Sequence, residues 1–156
     1  IRYIRTILKS AVNEVVDEIK KLQQENGVNL RNIIVDEDGV GGGVKDYLRC
    51  QGFVNNARAL KGENYQNLKT QCYYKLADQI NKGQIGVSCS DVNVKNYITE
   101  ELEQVRTKDA DKDNKLQIIP KDTVKAILGR SPDYADALAM RMYYEIDSNF
   151  GKYFVQ

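Results

Sequence analysis

The sequence predicts an α/β layered domain. Short β-branched apolar runs alternate with longer segments of helical periodicity, and glycines punctuate the joints between them. At 156 residues the chain suits one ordinary domain, read as residues 1–156. Its 42% apolar and 29% charged residues match a folded composition. The 23 basic and 22 acidic residues nearly cancel, so net charge by itself points to no polyanionic partner. No stretch approaches the roughly 18 apolar residues of a membrane span, and "IRYIRTILKS" is no signal peptide. No Met opens the chain, which is expected to begin inside a longer protein.

Taken in order, "IRYIRTIL" alternates with period two and reads as a strand. Ala11, Val12, Val15, Val16, Ile19 and Leu22 then recur at helical spacing, with Ser10 as N-cap and Gly27 as terminator. "NIIVD" (32–36) is a buried-strand candidate. The glycines follow, then a helix near "VKDYLRCQ" stopped by Gly52, and "FVNNARAL" is a weaker strand. Residues 64–82 carry Leu68, Cys72, Leu76 and Ile80 on one helical stripe, and "IGVS" reads as a short strand. "ITEELEQVRT" and "KLQIIP" flank a polar stretch as either helix-loop-strand or hairpin. A short helix near 121–128 precedes a last one bearing Ala135, Leu138, Ala139, Met142 and Ile146.

The chemistry must come from a restricted set of residues. With no His in the chain, His-dependent nucleophilic triads and His-based zinc sites are excluded. Cys50, Cys72 and Cys89 are an odd count without CxxC spacing, expected to be free thiols in a reducing compartment. Carboxylates remain as the candidate carriers.

"VDEDGVGGGVKD" (35–46) fails as a dinucleotide fingerprint because Val44 stands where the third Gly is needed. It fails as a P-loop because no Gly-Lys-Ser/Thr follows. It leaves Asp36, Glu37 and Asp38 at a strand end, where α/β folds place ligands. Alone, the segment favours a solvated acidic turn over a metal ligand. "DADKDNKLQIIP" (109–120) imitates a calcium loop through Asp109, Asp111 and Asp113. However, Asn114 replaces the glycine and Pro120 the bidentate Glu, so a hairpin tip is the better reading. In "SPDYADALAMR", Ser131 as N-cap, Pro132 at the first position and Asp133 at the positive helix end are explained by capping. Capping does not explain Asp136, one turn on and beside the apolar stripe. The 10 tyrosines, with Tyr73–Tyr74 and Tyr143–Tyr144 the densest pairs, read as core packing more than as base-stacking groups. Lys112, Lys115, Lys121, Lys125 and Arg130 form a loose basic run, usually a solvated face but able to hold a phosphate backbone beside a metal.

In this order, "VDEDGVGGGVKDYL", "QGF", "YQNLKTQCYYKL" and "LGRSPDYADALAM" resemble the C-terminal nuclease domain of phage large terminase subunits, over nearly the whole chain. "DYADALA" is also similar to the final acidic helix of Holliday-junction resolvases, and both families share the ribonuclease H-like fold. The resemblance implies a mixed sheet flanked by helices and a DNA endonuclease that cuts concatemeric viral DNA during packaging. It implies Asp36, Asp133 and Asp136 as ligands of two Mg²⁺ or Mn²⁺ ions, which together activate a water and stabilise the leaving oxygen. Glu37 and Asp38 are weaker candidates, since strand neighbours face opposite ways. Lys121, Lys125 and Arg130 are weak DNA-contact candidates.

The resemblance further implies double-stranded DNA, portal protein and small terminase subunit as partners, in the cytoplasm of a bacterial host. One departure matters: "IRYIRTILKS" looks like the family's third strand. The first two strands, with another essential Asp, and the ATPase domain are therefore expected to lie upstream. The fragment is expected to have weak or no activity and to self-associate through an exposed sheet edge. The alternatives are another ribonuclease H-like enzyme, such as a resolvase or transposase-like nuclease, or a non-catalytic adaptor for portal or small terminase.

Overall fold

The computed structural model describes residues 1–8, 10–38, 41–108 and 114–147. It is a mixed α/β structure, mostly helical with small sheets, and it divides into two compact units. One unit is Arg5–Asn55; the other comprises Ile1–Ile4 and the chain from Asn56 onward. No helix among the described residues is long and apolar enough to cross a membrane.

The Arg5–Asn55 unit is built from α1 (Val12–Asn26), β1 (Ile34–Asp36), α2 (Gly41–Leu48) and β2 (Gln51–Phe53). The stripe on α1 buries as its spacing requires: Val12, Val15, Val16 and Ile19 pack with Val44, Leu48, Cys50, Ile33 and Val35. Ala11, not Ser10, holds the N-cap position, and its N–H is taken by the Glu14 carboxylate at 2.9 Å. Gly27 ends the helix at φ 62°, with its own N–H and that of Val28 bonding back to Gln24 and Gln23.

β1 and β2 pair in parallel, Asp36 opposite Phe53. Parallel strands need a crossover, and α2 supplies it. A Cβ at position 41 would sit on the Asp36 carbonyl oxygen, so only glycine lets α2 start this close to the strand it follows. Gly52 does not stop the helix. It lies within β2, where a side chain would strike Glu37 and Lys45. Arg49, in the left-handed region at φ 52°, turns the chain instead.

The second unit contains α3 (Leu68–Asn81), α4 (Val92–Gln104), β3 (Thr107–Lys108), β4 (Gln117–Ile118), α5 (Lys121–Leu128), α6 (Asp133–Arg141) and α7 (Tyr143–Ile146). Asn67 caps α3 by accepting from the Thr70 N–H at 2.9 Å. Leu68, Cys72 and Leu76 are buried as expected, while Ile80 at the end of the stripe is exposed. α3 packs against α6, and α4 against α5 and α6. Ala135 and Ala139 are fully enclosed, which lets α6 approach its neighbours closely. β3 and β4 pair antiparallel as a hairpin, while most of "ITEELEQVRT" lies in α4, so the region combines the helix of one expected form with the hairpin of the other. Its tip, with Asp109, Asp111 and Asp113, lies outside the described residues.

Three expected strands do not form. Residues 1–8 form no ladder. Ile1 donates to the Gly86 C=O, and its own C=O accepts from the Ser88 N–H and hydroxyl, too few ladder bonds to make a strand of either "IRYIRTIL" or "IGVS". "FVNNARAL" contributes only Phe53 to β2 before turning into a 3₁₀ turn at Leu60–Gly62. Gln71 clamps that turn, its side chain accepting from Leu60 N–H and donating to Leu60 C=O. Period-two patterning makes a segment suitable for a ladder, but a strand exists only where a partner backbone pairs with it. Among the described residues the strands form two separate pairs rather than one mixed sheet.

Candidate functional site

Asp36 is the last residue of β1 and half-buried. Its Oδ1 accepts from the Asp38 N–H at 3.1 Å and from Asn55 Nδ2 at 3.0 Å. Asn55 also grips Asp38, donating to Oδ2 from its backbone N–H (3.0 Å) and from Nδ2 (2.8 Å). One asparagine thus holds Asp36 and Asp38 together. Glu37 turns the other way, as alternation on a strand requires, and pairs with Lys45 at 2.5 Å. Every donor on Asp36 and Asp38 named here is neutral, so their negative charge stays uncompensated by these contacts.

Asp136 lies in α6 with its side chain only 13% exposed. Oδ1 accepts from the Tyr73 hydroxyl at 2.7 Å and pairs with Lys69 Nζ at 2.7 Å, while Oδ2 takes Lys121 Nζ at 2.5 Å. Burial opposes its ionisation, but the Lys69 charge and the hydrogen bonds from Lys121, Lys69 and Tyr73 outweigh it. Its pKa therefore falls below the ordinary carboxylate value. The same surroundings act oppositely on Tyr73, whose burial beside the Asp136 charge drives its hydroxyl pKa far up. Asp133, at the start of α6, is exposed.

Ser131 does not cap α6. Pro132 occupies the N-cap position, and the capping side chain comes from another helix: Glu101 of α4, fully buried, accepts from the Ala135 N–H through Oε2 at 2.8 Å. Its Oε1 is bound by Arg130 Nη1. Arg130 also reaches Glu100 at 3.2 Å and lies 4.5 Å from the Tyr97 ring centroid. Of the basic candidates, Lys121 is thus committed to Asp136, Arg130 to Glu101 and Glu100, and Lys125 is exposed.

Lys69, Asn55 and Glu101 were not among the residues singled out by sequence, and Tyr73 was read there only as core packing, not as a partner of Asp136. Lys69 and Tyr73 are four apart on α3 and so share a face. Glu101 had a readable signal: with Val94 and Ile98 it stands on the apolar stripe of α4, where a solvated acid has no place. Among the described residues no cluster of three or more Cys, Asp or Glu side chains suited to a metal ion forms. The oxygen donors of Asp36, Asp38, Asp133 and Asp136 are of the hard type that suits Mg²⁺ or Mn²⁺, so the donor chemistry fits such an ion. At Asp136 a cation would compete with the ammonium groups of Lys69 and Lys121.

No protein-family model matches the chain, and no curated protein matches it by sequence. Solved structures do match. A lysine-to-alanine mutant of the nuclease domain of the large terminase subunit gp2 of bacterial virus Sf6, with manganese and β-thujaplicinol, superposes with a TM-score of 0.69 at 23% identity. That match covers 86% of this chain and 74% of that one. A lysine-to-alanine mutant gp2c of the large terminase subunit from bacteriophage Sf6, with calcium, gives a TM-score of 0.66 at 24% identity, covering 86% of this chain and 74% of that one. The domain without a named ligand gives 0.63 at 24%, covering 83% and 71%. The chain has the fold of a terminase large-subunit nuclease domain.

Proposed function

We propose that this chain is the nuclease domain of a DNA-packaging terminase, a metal-dependent endonuclease that hydrolyses phosphodiester bonds of concatemeric viral DNA. The observation that carries this reading is the shared fold over 86% of the chain. The finer ribonuclease H-like assignment, and residues 1–156 as one domain embracing both units, belong to the same proposal. Asp36, Asp133 and Asp136 are the proposed ligands of Mg²⁺ or Mn²⁺, and the manganese and calcium bound by the similar structures support that choice. Bound there, such ions activate a water and stabilise the leaving oxygen, a division of labour that needs no His base. The chain's own residues prepare that chemistry. Asn55 fixes the direction of Asp36 and Asp38. Lys69 and Lys121 neutralise Asp136, and an ammonium not engaged with it would be able to meet a phosphate.

Weak cutting by this chain alone belongs to the same proposal. The partners proposed are duplex DNA, portal protein and small terminase subunit, in the cytoplasm of an infected bacterium. Self-association through an exposed sheet edge belongs to this reading too. The test is cleavage of linear and branched duplexes, in Mg²⁺ or Mn²⁺, by this chain and by a version extended at its N-terminus. The expected result is little cutting by the chain and strong cutting of linear duplex by the longer version. Preference for branched DNA would instead indicate a resolvase, and no metal binding by either would indicate an adaptor.

A further inference from the structure

Within the second unit, the first turn of α6 is held by a side chain outside its own sequence neighbourhood. A helix start leaves its first N–H groups without intrahelical partners, and the residue before this one, Pro132, has no side chain to offer them. Glu101 fills the gap from α4, accepting from Ala135 N–H, which lies between Asp133 and Asp136. The carboxylate is in turn aimed by Arg130, whose guanidinium bonds Glu101 and Glu100 and covers Tyr97. Tyr97 stacks on Tyr134 of α6, with ring centroids 6.0 Å apart and planes 7° from parallel. α4 therefore grips the start of α6 by a buried carboxylate and a stacked ring pair.

We propose that Glu101 is a positioning residue: its hydrogen bond to the Ala135 N–H fixes the first turn of α6 and, through it, the directions of Asp133 and Asp136. The consequence for metal binding rests on the reading of those two acids as ligands. The hydrogen bond requires reach more than charge. Glu101→Gln keeps an oxygen at the same length and loses the charge; Glu101→Asp keeps the charge and withdraws it by one methylene.

Two measurements separate the possibilities. Amide hydrogen exchange at Ala135, followed by NMR, reports the cap without reference to function. Mn²⁺ titration followed by the electron paramagnetic resonance of the free ion reports the acids. Glu101→Gln keeps one oxygen for the Ala135 N–H but turns an NH2 toward Arg130, and is expected to depart from wild type less than Glu101→Asp does, by about fivefold or less in both. Glu101→Asp and Glu101→Ala are expected to exchange at Ala135 and release Mn²⁺ about tenfold more readily, with circular dichroism unchanged. Glu103→Gln, an exposed change on α4, serves as the control and is expected to alter neither. If Glu101→Asp protects Ala135 better than Glu101→Gln, charge pairing with Arg130 is what matters and the proposal is overturned. It is also overturned if Glu101→Asp is folded and binds Mn²⁺ as wild type does. Should Glu101→Ala fail to fold, the Gln-against-Asp ranking still decides. A wild-type chain that binds no Mn²⁺ would sink the ligand reading alone, and the exchange ranking would still decide the role of Glu101.

Discussion

Asp36 and Asp136 are the same residue type, each held by several donors, yet the two are electrically opposite. Asp36, at the end of β1, is oriented by an asparagine amide and a backbone N–H. Asp136, on α6, is closed by two ammonium groups and a phenol. Neutral donors fix a carboxylate's direction and leave its charge to attract a cation; ammoniums satisfy the charge and make a cation compete. Asp36 is therefore a carboxylate whose charge these contacts leave uncompensated. Asp136 is a carboxylate whose availability depends on what its lysines do.

The largest way to break this contrast is Gly41→Ala. The new methyl would collide with the Asp36 carbonyl, costing about 3 kcal/mol or more in the unit that contains β1. Thermal unfolding would show an early transition, while the surroundings of Asp136 keep their chemical shifts. Next in size is Lys121→Met, which leaves Asp136 with one ammonium in place of two. Its Mn²⁺ affinity is expected to rise about tenfold as a competing cation is removed; an unchanged affinity would show that Lys121 does not gate this carboxylate.

A smaller effect is read through pH. Because the pKa of Asp136 is lowered on folding, its stabilisation is complete above the ordinary carboxylate range. It is lost as pH falls through the depressed value. Acid unfolding of wild type should therefore steepen below about pH 4, and Asp136→Asn should flatten that part of the curve. Smallest is a labelling difference. Burial pushes the Cys72 thiol up to about 12, so alkylation of the native chain should modify the partly exposed Cys89 and spare Cys72. Rapid labelling of Cys72 would mean that α3, which carries Lys69 and Tyr73, opens easily.

Helices were the legible part of the sequence, because their apolar period is local. The α3 and α6 stripes bury much as their spacing requires, and α5 spans the very residues 121–128 expected of it. Strands were less legible, since "IRYIRTIL" has the right alternation but finds no ladder. Asp136 could be singled out because capping left it unexplained. Its partners could not, since nothing local ties Lys69 or Lys121 to a carboxylate 67 or 15 residues away. The cap of α6 was misassigned to Ser131 for the same reason: the group that fills it is supplied by packing, from Glu101 on another helix. The polar partners of a site are set by tertiary placement, which periodicity does not encode.

The most direct test of the proposed activity is nicking of supercoiled plasmid in Mn²⁺ by the N-terminally extended chain and by its Asp36→Ala variant. The expected result is metal-dependent conversion to nicked and linear DNA by the unsubstituted protein. The variant should lose at least about a thousandfold in rate while keeping its folded spectrum. An Asp36→Ala protein that cuts at the unsubstituted rate would contradict the assignment of this carboxylate, and with it the nuclease site proposed here.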